Sequence, residues 1–287
     1  MSPDERKELW EELSLVEDWL SGGARREREL PDFEAAARAA AQTATAATAG
    51  AAPSRAAFGP GAAFQGAAGP GQARQGRRPA EPGDSLEAIA REVAACEACR
   101  LAAGRSRPVP GEGAERPLVL VVGEGPGAEE DRSGRPFVGP AGQLLDRMLA
   151  SIGLSRETNC HIANVVKCRP PNNRDPAPDE TAACVGFLRR QTALLEPRVV
   201  LCVGRVAAQA LLGTGEGIGR LRGRFLEWEG IPLLATYHPS ALLRDESLKR
   251  PAWEDLKALK AFLDAEDGAA ESGAPAGGAS VPAGGRG

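Results

Sequence analysis

Residues 118–122, Leu-Val-Leu-Val-Val, form an apolar run without alternation, closed at once by Gly123-Glu-Gly-Pro-Gly127. A half-buried strand turns every second side chain to water, so a strand that is apolar throughout has to be covered on both faces, as in a parallel sheet. The Gly/Pro turn ends it abruptly. Sheets of this kind bind ligands beyond the carboxyl ends of their strands, which marks that edge as the place to look for chemistry. Three glycines in five positions let the backbone come close to a ligand and aim N–H groups at it, while Glu124, Glu129, Glu130 and Asp131 bring carboxylates to the same mouth. A tight connection or a phosphate cradle would look the same in isolation.

Strand and helix patterns alternate around this run. A capping box at 84–87 starts a helix with Leu86, Ile89 and Val93 that delivers Cys96 and Cys99 at its end. Residues 160–166 and 199–203 read as further buried strands, and 225–229 with 231–236 as a hairpin-like pair. Helices are expected with Leu144, Leu145, Met148, Leu149 and Ile152 on one buried face, and at about 178–195, 206–212 and 253–263. The alternation predicts an α/β fold, a three-layer αβα sandwich with a mainly parallel central sheet.

Composition sets the outer limits of that fold. Of 287 residues, 24–83 are dominated by Ala, Gly, Pro, Gln and Arg, and 268–287 by Gly, Ala, Ser and Pro, too few large apolar side chains to offset ordering entropy. They read as a disordered linker and a disordered tail around one folded domain at 84–267. Ahead of the linker, 1–23 carry Leu9, Leu13, Val16 and Leu20 at helical spacing, an amphipathic helix that docks back on the domain or takes a protein partner. The first ten residues are too charged for a secretion signal and the Ala-rich run at 35–52 too polar for a bilayer, so a soluble, cytoplasmic monomer is expected, with no membrane contact.

Six cysteines in a reducing compartment point to thiols or metal ligands before disulfides. Cys96 and Cys99 form a C-x-x-C pair, with Cys168 and Cys184 in or beside later loops; two ligands from one turn and two from distant elements can enclose a metal or cluster. Zinc and an iron-sulfur cluster both suit four thiolates. Cys160 and Cys202 lie inside apolar strands and read as core. A net charge of −4 argues against a general nucleic-acid coat, yet local basic loops exist at Lys167, Arg169 and Arg174, at Arg220, Arg222 and Arg224, and at Arg244.

Taken together, Gly123-Glu-Gly-Pro-Gly127, Phe137-Val-Gly139, Asn164-Val-Val-Lys-Cys168-Arg-Pro-Pro171 and His238-Pro-Ser-Ala-Leu-Leu-Arg244, with the four spaced cysteines, resemble the family 4 uracil-DNA glycosylases, the iron-sulfur branch of their superfamily. The resemblance spans about 96–263. It implies a 4Fe-4S cluster, of structural use, on Cys96, Cys99, Cys168 and Cys184, and a repair enzyme that flips uracil out of DNA and hydrolyses its glycosidic bond. Family members often carry Ala where this chain has Gly125. Relatives that cross-link to DNA have an Arg in the first turn and an extra basic loop; Gly125 stands in that turn here, so turnover is expected.

Such chemistry builds negative charge on the departing base, so it needs a stacking partner, groups for the base edge, an anion stabiliser and a positioned water. Phe137 is expected to stack and Asn164 to read O4 and N3–H, with Gly123 beside them in the base pocket. His238 is expected to donate to O2 as charge accumulates. Glu124 and the Gly125 backbone are candidates for holding the water, with Glu130 a second acid. Lys167, Arg169, Ser240 and Arg244 are expected on flanking phosphates. Two other readings remain open: a non-catalytic iron-sulfur or zinc DNA-binding module, and a glycosylase for another deaminated base.

Overall fold

The computed structural model describes residues 79–271. The expected N-terminal helix at 1–23, most of the 24–83 linker and the end of the tail lie outside the described residues.

Six strands form one sheet: β1 (Glu112–Gly113), β2 (Val119–Gly123), β3 (Cys160–Asn164), β4 (Val199–Val203), β5 (Phe225–Trp228) and β6 (Ile231–Thr236), in the order β1-β3-β2-β4-β6-β5. The four inner strands, β3, β2, β4 and β6, run parallel, and β1 and β5 close the edges antiparallel. Every residue of the four parallel strands is buried, which is why β2 and β4 read as unbroken apolar runs, while β3 and β6 also bury His161, Asn164 and Thr236. Successive side chains point to opposite faces, so each strand feeds two cores. Val119, Val121, Ile162 and Leu201 pack beneath α3 (Pro140–Ala150), α7 (Pro239–Arg244) and α8 (Lys249–Glu271). Leu120, Val122, Ala163 and Cys202 pack beneath α4 (Pro178–Leu195), α5 (Arg205–Leu212) and α6 (Ile218–Leu221). Behind α4 lies α1 (Leu86–Ala95), capped by the Ser85 side chain. The three-layer α/β arrangement is the one the sequence pattern implied.

Boundaries moved in physically intelligible ways. The strand expected over 160–166 ends at Asn164, because Val165 and Val166 donate to Gly123 O and Glu124 O and follow the turn beyond β2. The last helix starts at Lys249, with Pro251 in its first turn where a missing N–H leaves no bond unmade, and buries Ala252, Leu256, Leu259 and Leu263. The short α2 (Ala128–Ser133) was read only as part of an acidic mouth.

Register places the site. Gly123 lies opposite Asn164, and Val203 opposite Thr236, so the carboxyl ends of the parallel strands finish level. From β2 the chain goes to β3 on one side and then to β4 on the other, which leaves a crevice at the ends of β2 and β4. Glu124 follows β2, Asn164 ends β3, Gly204 and Arg205 follow β4, and His238 lies just past β6.

Candidate active site

A cavity of about 510 Å3 opens at that edge. Of the residues expected in a site, Glu124, Gly125, Glu130, Phe137, Asn164, His238, Ser240 and Arg244 line it. Gly123 sits directly beneath, where it decides how close two of them can come. A Cβ at Gly123 would lie 2.4 Å from Asn164 Oδ1 and 2.5 Å from Phe137 Cζ, so the strand must end in glycine for the ring and the amide to meet over it. Phe137 itself holds a left-handed backbone, φ 50°, in which a bulky residue is strained by about 1–3 kcal/mol. Its ring centroid is 5.7 Å from that of His238 at a tilt of 32°.

Asn164 Oδ1 is buried without a hydrogen-bond partner, although its residue lines the cavity. Leaving an amide oxygen buried and unpaired costs about 1–3 kcal/mol, so the carbonyl is an acceptor held ready for a ligand's donor. His238 completes the opposite wall. Its Nδ1 accepts the Ser240 backbone N–H at 3.1 Å, with Ser240 Oγ at 2.8 Å. A backbone N–H can only donate, so the neutral ring carries its proton on Nε2. Burial, aided by the Arg244 charge, lowers the His238 pKa to about 4, which keeps the ring neutral at physiological pH. Ser240, expected on a phosphate, thus orients the imidazole.

Burial, with Asp175 close by, raises the Glu124 carboxyl pKa to about 7, and Arg205 pulls the other way. Arg205 pairs with Asp175 at 2.5 Å, and both line the cavity. Neither was singled out from sequence. Arg205 was legible, since it follows a buried parallel strand and a glycine just as Glu124 does. Glu130 has a different task from the one expected. Its Oε1 accepts from Val138 N at 2.9 Å and Gly139 N at 3.1 Å, and its Oε2 from Gly127 N at 3.1 Å, so this carboxylate ties the Gly-rich turn to the Phe137 turn.

The basic residues divide. Lys167 is 1% exposed, with Nζ donating to Asn164 O at 3.0 Å and Gln191 Oε1 at 2.7 Å; the phosphate role expected for it is withdrawn, because no solvent-side anion can reach the ammonium. Arg169 donates to Asn173 Oδ1 and does not line the cavity. Arg174 is paired with the buried Glu180, and Arg222 with the buried Asp255. Arg244 is exposed on the rim. Beside it Leu243, 49% exposed, is the exposed large hydrophobic among the described residues. The sequence hid it, because Leu242 and Leu243 read alike and only the helix phase of α7 turns one inward.

The four cysteines gather at a second pocket, separate from the cavity, to which the 164–170 segment contributes Lys167 and Cys168. Cys96 caps α1, Cys99 precedes a 3-10 turn (Arg100–Gly104), Cys168 lies past β3 and Cys184 on α4; all four line one small pocket with Val93 and Phe187. Burial raises the pKa of both the Cys168 and Cys184 thiols, and it is opposed by Arg105 Nη1, 3.1 Å from Cys168 Sγ, and by Lys167 N, which donates to Cys184 Sγ at 3.3 Å. Among the described residues no three His, Cys, Asp or Glu are gathered closely enough to hold a single metal ion. The side chains facing this pocket that are able to ligate a soft metal are the four cysteines.

The family model described as Uracil DNA glycosylase superfamily matches residues 110–257. A type-4 uracil-DNA glycosylase of Archaeoglobus fulgidus is 43% identical over 184 residues, 61% of this chain and 92% of the relative. That of Thermotoga maritima is 43% identical over 185 residues, 63% of this chain and 96% of the relative. A type-5 uracil-DNA glycosylase of Thermus thermophilus is similar at 34% over 191 residues, 54% and 86% of the two chains. With its strand-end cavity and these likenesses, the chain belongs to the uracil DNA glycosylase superfamily, in its type-4 group.

Proposed function

We propose that this protein is a DNA-repair glycosylase that takes uracil out of the helix and hydrolyses its N-glycosidic bond, leaving an abasic site. What carries this reading is the unpartnered Asn164 Oδ1 in the cavity wall. Uracil supplies an N3–H donor to that oxygen and an O4 acceptor to the amide N–H. Cytosine presents the reverse at both positions and would leave buried groups unpaired. Phe137 stacks on the base, and Gly123 leaves the room for it.

His238 Nε2–H faces charge that develops on the base at O2, and a neutral imidazole gives up no stabilisation to prior protonation. Glu124, ionised above about pH 7, holds the attacking water with the Gly125 backbone and faces the positive charge growing on the sugar. Glu130 keeps the two turns in register. Arg244 meets a flanking phosphate, and the exposed Leu243 fits as an apolar wedge into the gap an extruded base leaves.

Cys96, Cys99, Cys168 and Cys184, which line one pocket, would hold a 4Fe-4S cluster, for which four cysteine thiolates are a complete ligand set. Through these cysteines such a cluster would link the end of α1, α4 and the 164–170 segment. The folded unit is 84–267, and it works as a monomer in the cytoplasm.

The test is a purified preparation incubated with an oligonucleotide bearing one uracil, then treated with alkali. Strand scission with free uracil released is expected. Tight binding without either product would leave only a binding module, and preferential release of hypoxanthine when an oligonucleotide bearing it competes in the same assay would reassign the substrate.

A further inference from the structure

Phe137 carries a strained backbone at the base pocket, and three features pin it there. Gly123 lies under the ring. Gly142 lies under the carbonyl, where a Cβ would come within 1.9 Å of Phe137 O. The third feature is Arg156, in the connection between α3 and β3. It is 7% exposed and does not line the cavity. Its Nη1 donates to Pro136 O at 2.9 Å and its Nη2 to Phe137 O at 2.9 Å. Asp146 on α3 holds the same guanidinium at 3.0 Å through Nε and 2.7 Å through Nη2, and Glu112 of β1 stands 3.7 Å away.

We infer that Arg156 is a positioning residue for base recognition, which holds the Phe137 ring against the extruded uracil by gripping the two carbonyls at the strained turn. The inference rests on the reading of Phe137 as the stacking partner. Arg suits the task because its rigid fork of donors can serve both carbonyls and a carboxylate at once. A left-handed phenylalanine relaxes unless the surrounding structure over-determines it. Without the grip the turn has a lower-energy backbone available, and the ring leaves the cavity wall. A carboxylate pair alone would explain Asp146, but it would not explain two donors aimed at the carbonyls of Pro136 and of the positive-φ Phe137.

The experiment is a double-mutant cycle on Phe137→Ala and Arg156→Met in the full-length protein with its metal. It reads single-turnover uracil release at saturating enzyme, affinity for an abasic-site oligonucleotide, and far-UV circular dichroism. Arg156→Met is expected to slow release by about tenfold to a hundredfold, the scale of a small misplacement at a reacting group. Abasic-site affinity stays unchanged, and Arg156→Lys recovers part of the rate. Phe137→Ala also slows release, and adding Arg156→Met to it costs nothing further, because the ring it positions is gone. A wild-type rate in Arg156→Met, or rate losses that multiply in the double variant, overturns the inference. If Arg156→Met does not fold, the cycle with Arg156→Lys decides by the same criteria. A wild-type rate in Phe137→Ala would instead overturn the stacking reading, and absence of release by the unmutated protein would overturn the function.

Discussion

Glu124 is ill-suited to stability and well suited to holding water. An acid whose pKa is raised in the folded state binds its proton more tightly there, so its contribution is complete below pH about 4.5 and is lost as pH rises through about 7. Glu124→Gln is therefore expected to melt above the wild type at pH 8 and with it at pH 4, as a series of thermal unfolding scans would show. Uracil release by the wild type is expected to rise as pH passes about 7, and the same variant should lack that rise. His238→Ala and Asn164→Ala are each expected to lower kcat by about 10²–10³-fold, the effect of removing one donor to a developing charge, with DNA affinity nearly intact in a gel-shift titration. Equal losses in kcat and affinity would contradict their roles. At this scale the sequence was partly legible: Asn164 and His238 declared themselves by motif. Lys167 misled because a lysine beside a cysteine and two prolines looks like open loop, whereas its neighbours draw it under the sheet edge.

Among the elements, the parallel strands were the easiest to foresee, since burial on both faces leaves no choice of residue. Harder were β1, two residues long, and α7, whose N-cap is His238 itself. A strand that short has no periodicity, and α7 offers only one turn and a half in which to see any. On the proposed function, recognition turns on the end of β2. Gly123→Ala is expected to fold, because the φ there is ordinary, yet to lose uracil release by about a hundredfold or more as Phe137 and Asn164 are forced apart. Circular dichroism with a single-turnover assay separates the two effects. Arg156 left no trace in the sequence, since its partners are backbone carbonyls far along the chain.

For the whole molecule, net charge and function point in opposite directions. A chain of net charge −4 binds a polyanion only through local cations, so affinity for DNA should fall with salt along a shallow slope. Arg244→Ala is expected to flatten that slope by about 0.9 in log Kd against log salt. Cys168→Ser is expected to give a preparation with less iron, weak visible absorbance and a lower melting temperature, measured on one sample. The expectation that no membrane is involved has a limited counterpart: among the described residues no helix is long and apolar enough to cross one. Within seven residues, from Asn164 to Pro170, the chain carries the side-chain amide proposed to read the base, the lysine that donates to the Asn164 backbone carbonyl and one sulfur of the four-cysteine pocket. If the four cysteines take up a cluster as proposed, assembly and base selection depend on one short stretch of chain, and a copy without the cluster is expected to lose uracil release and to gain none on sound bases.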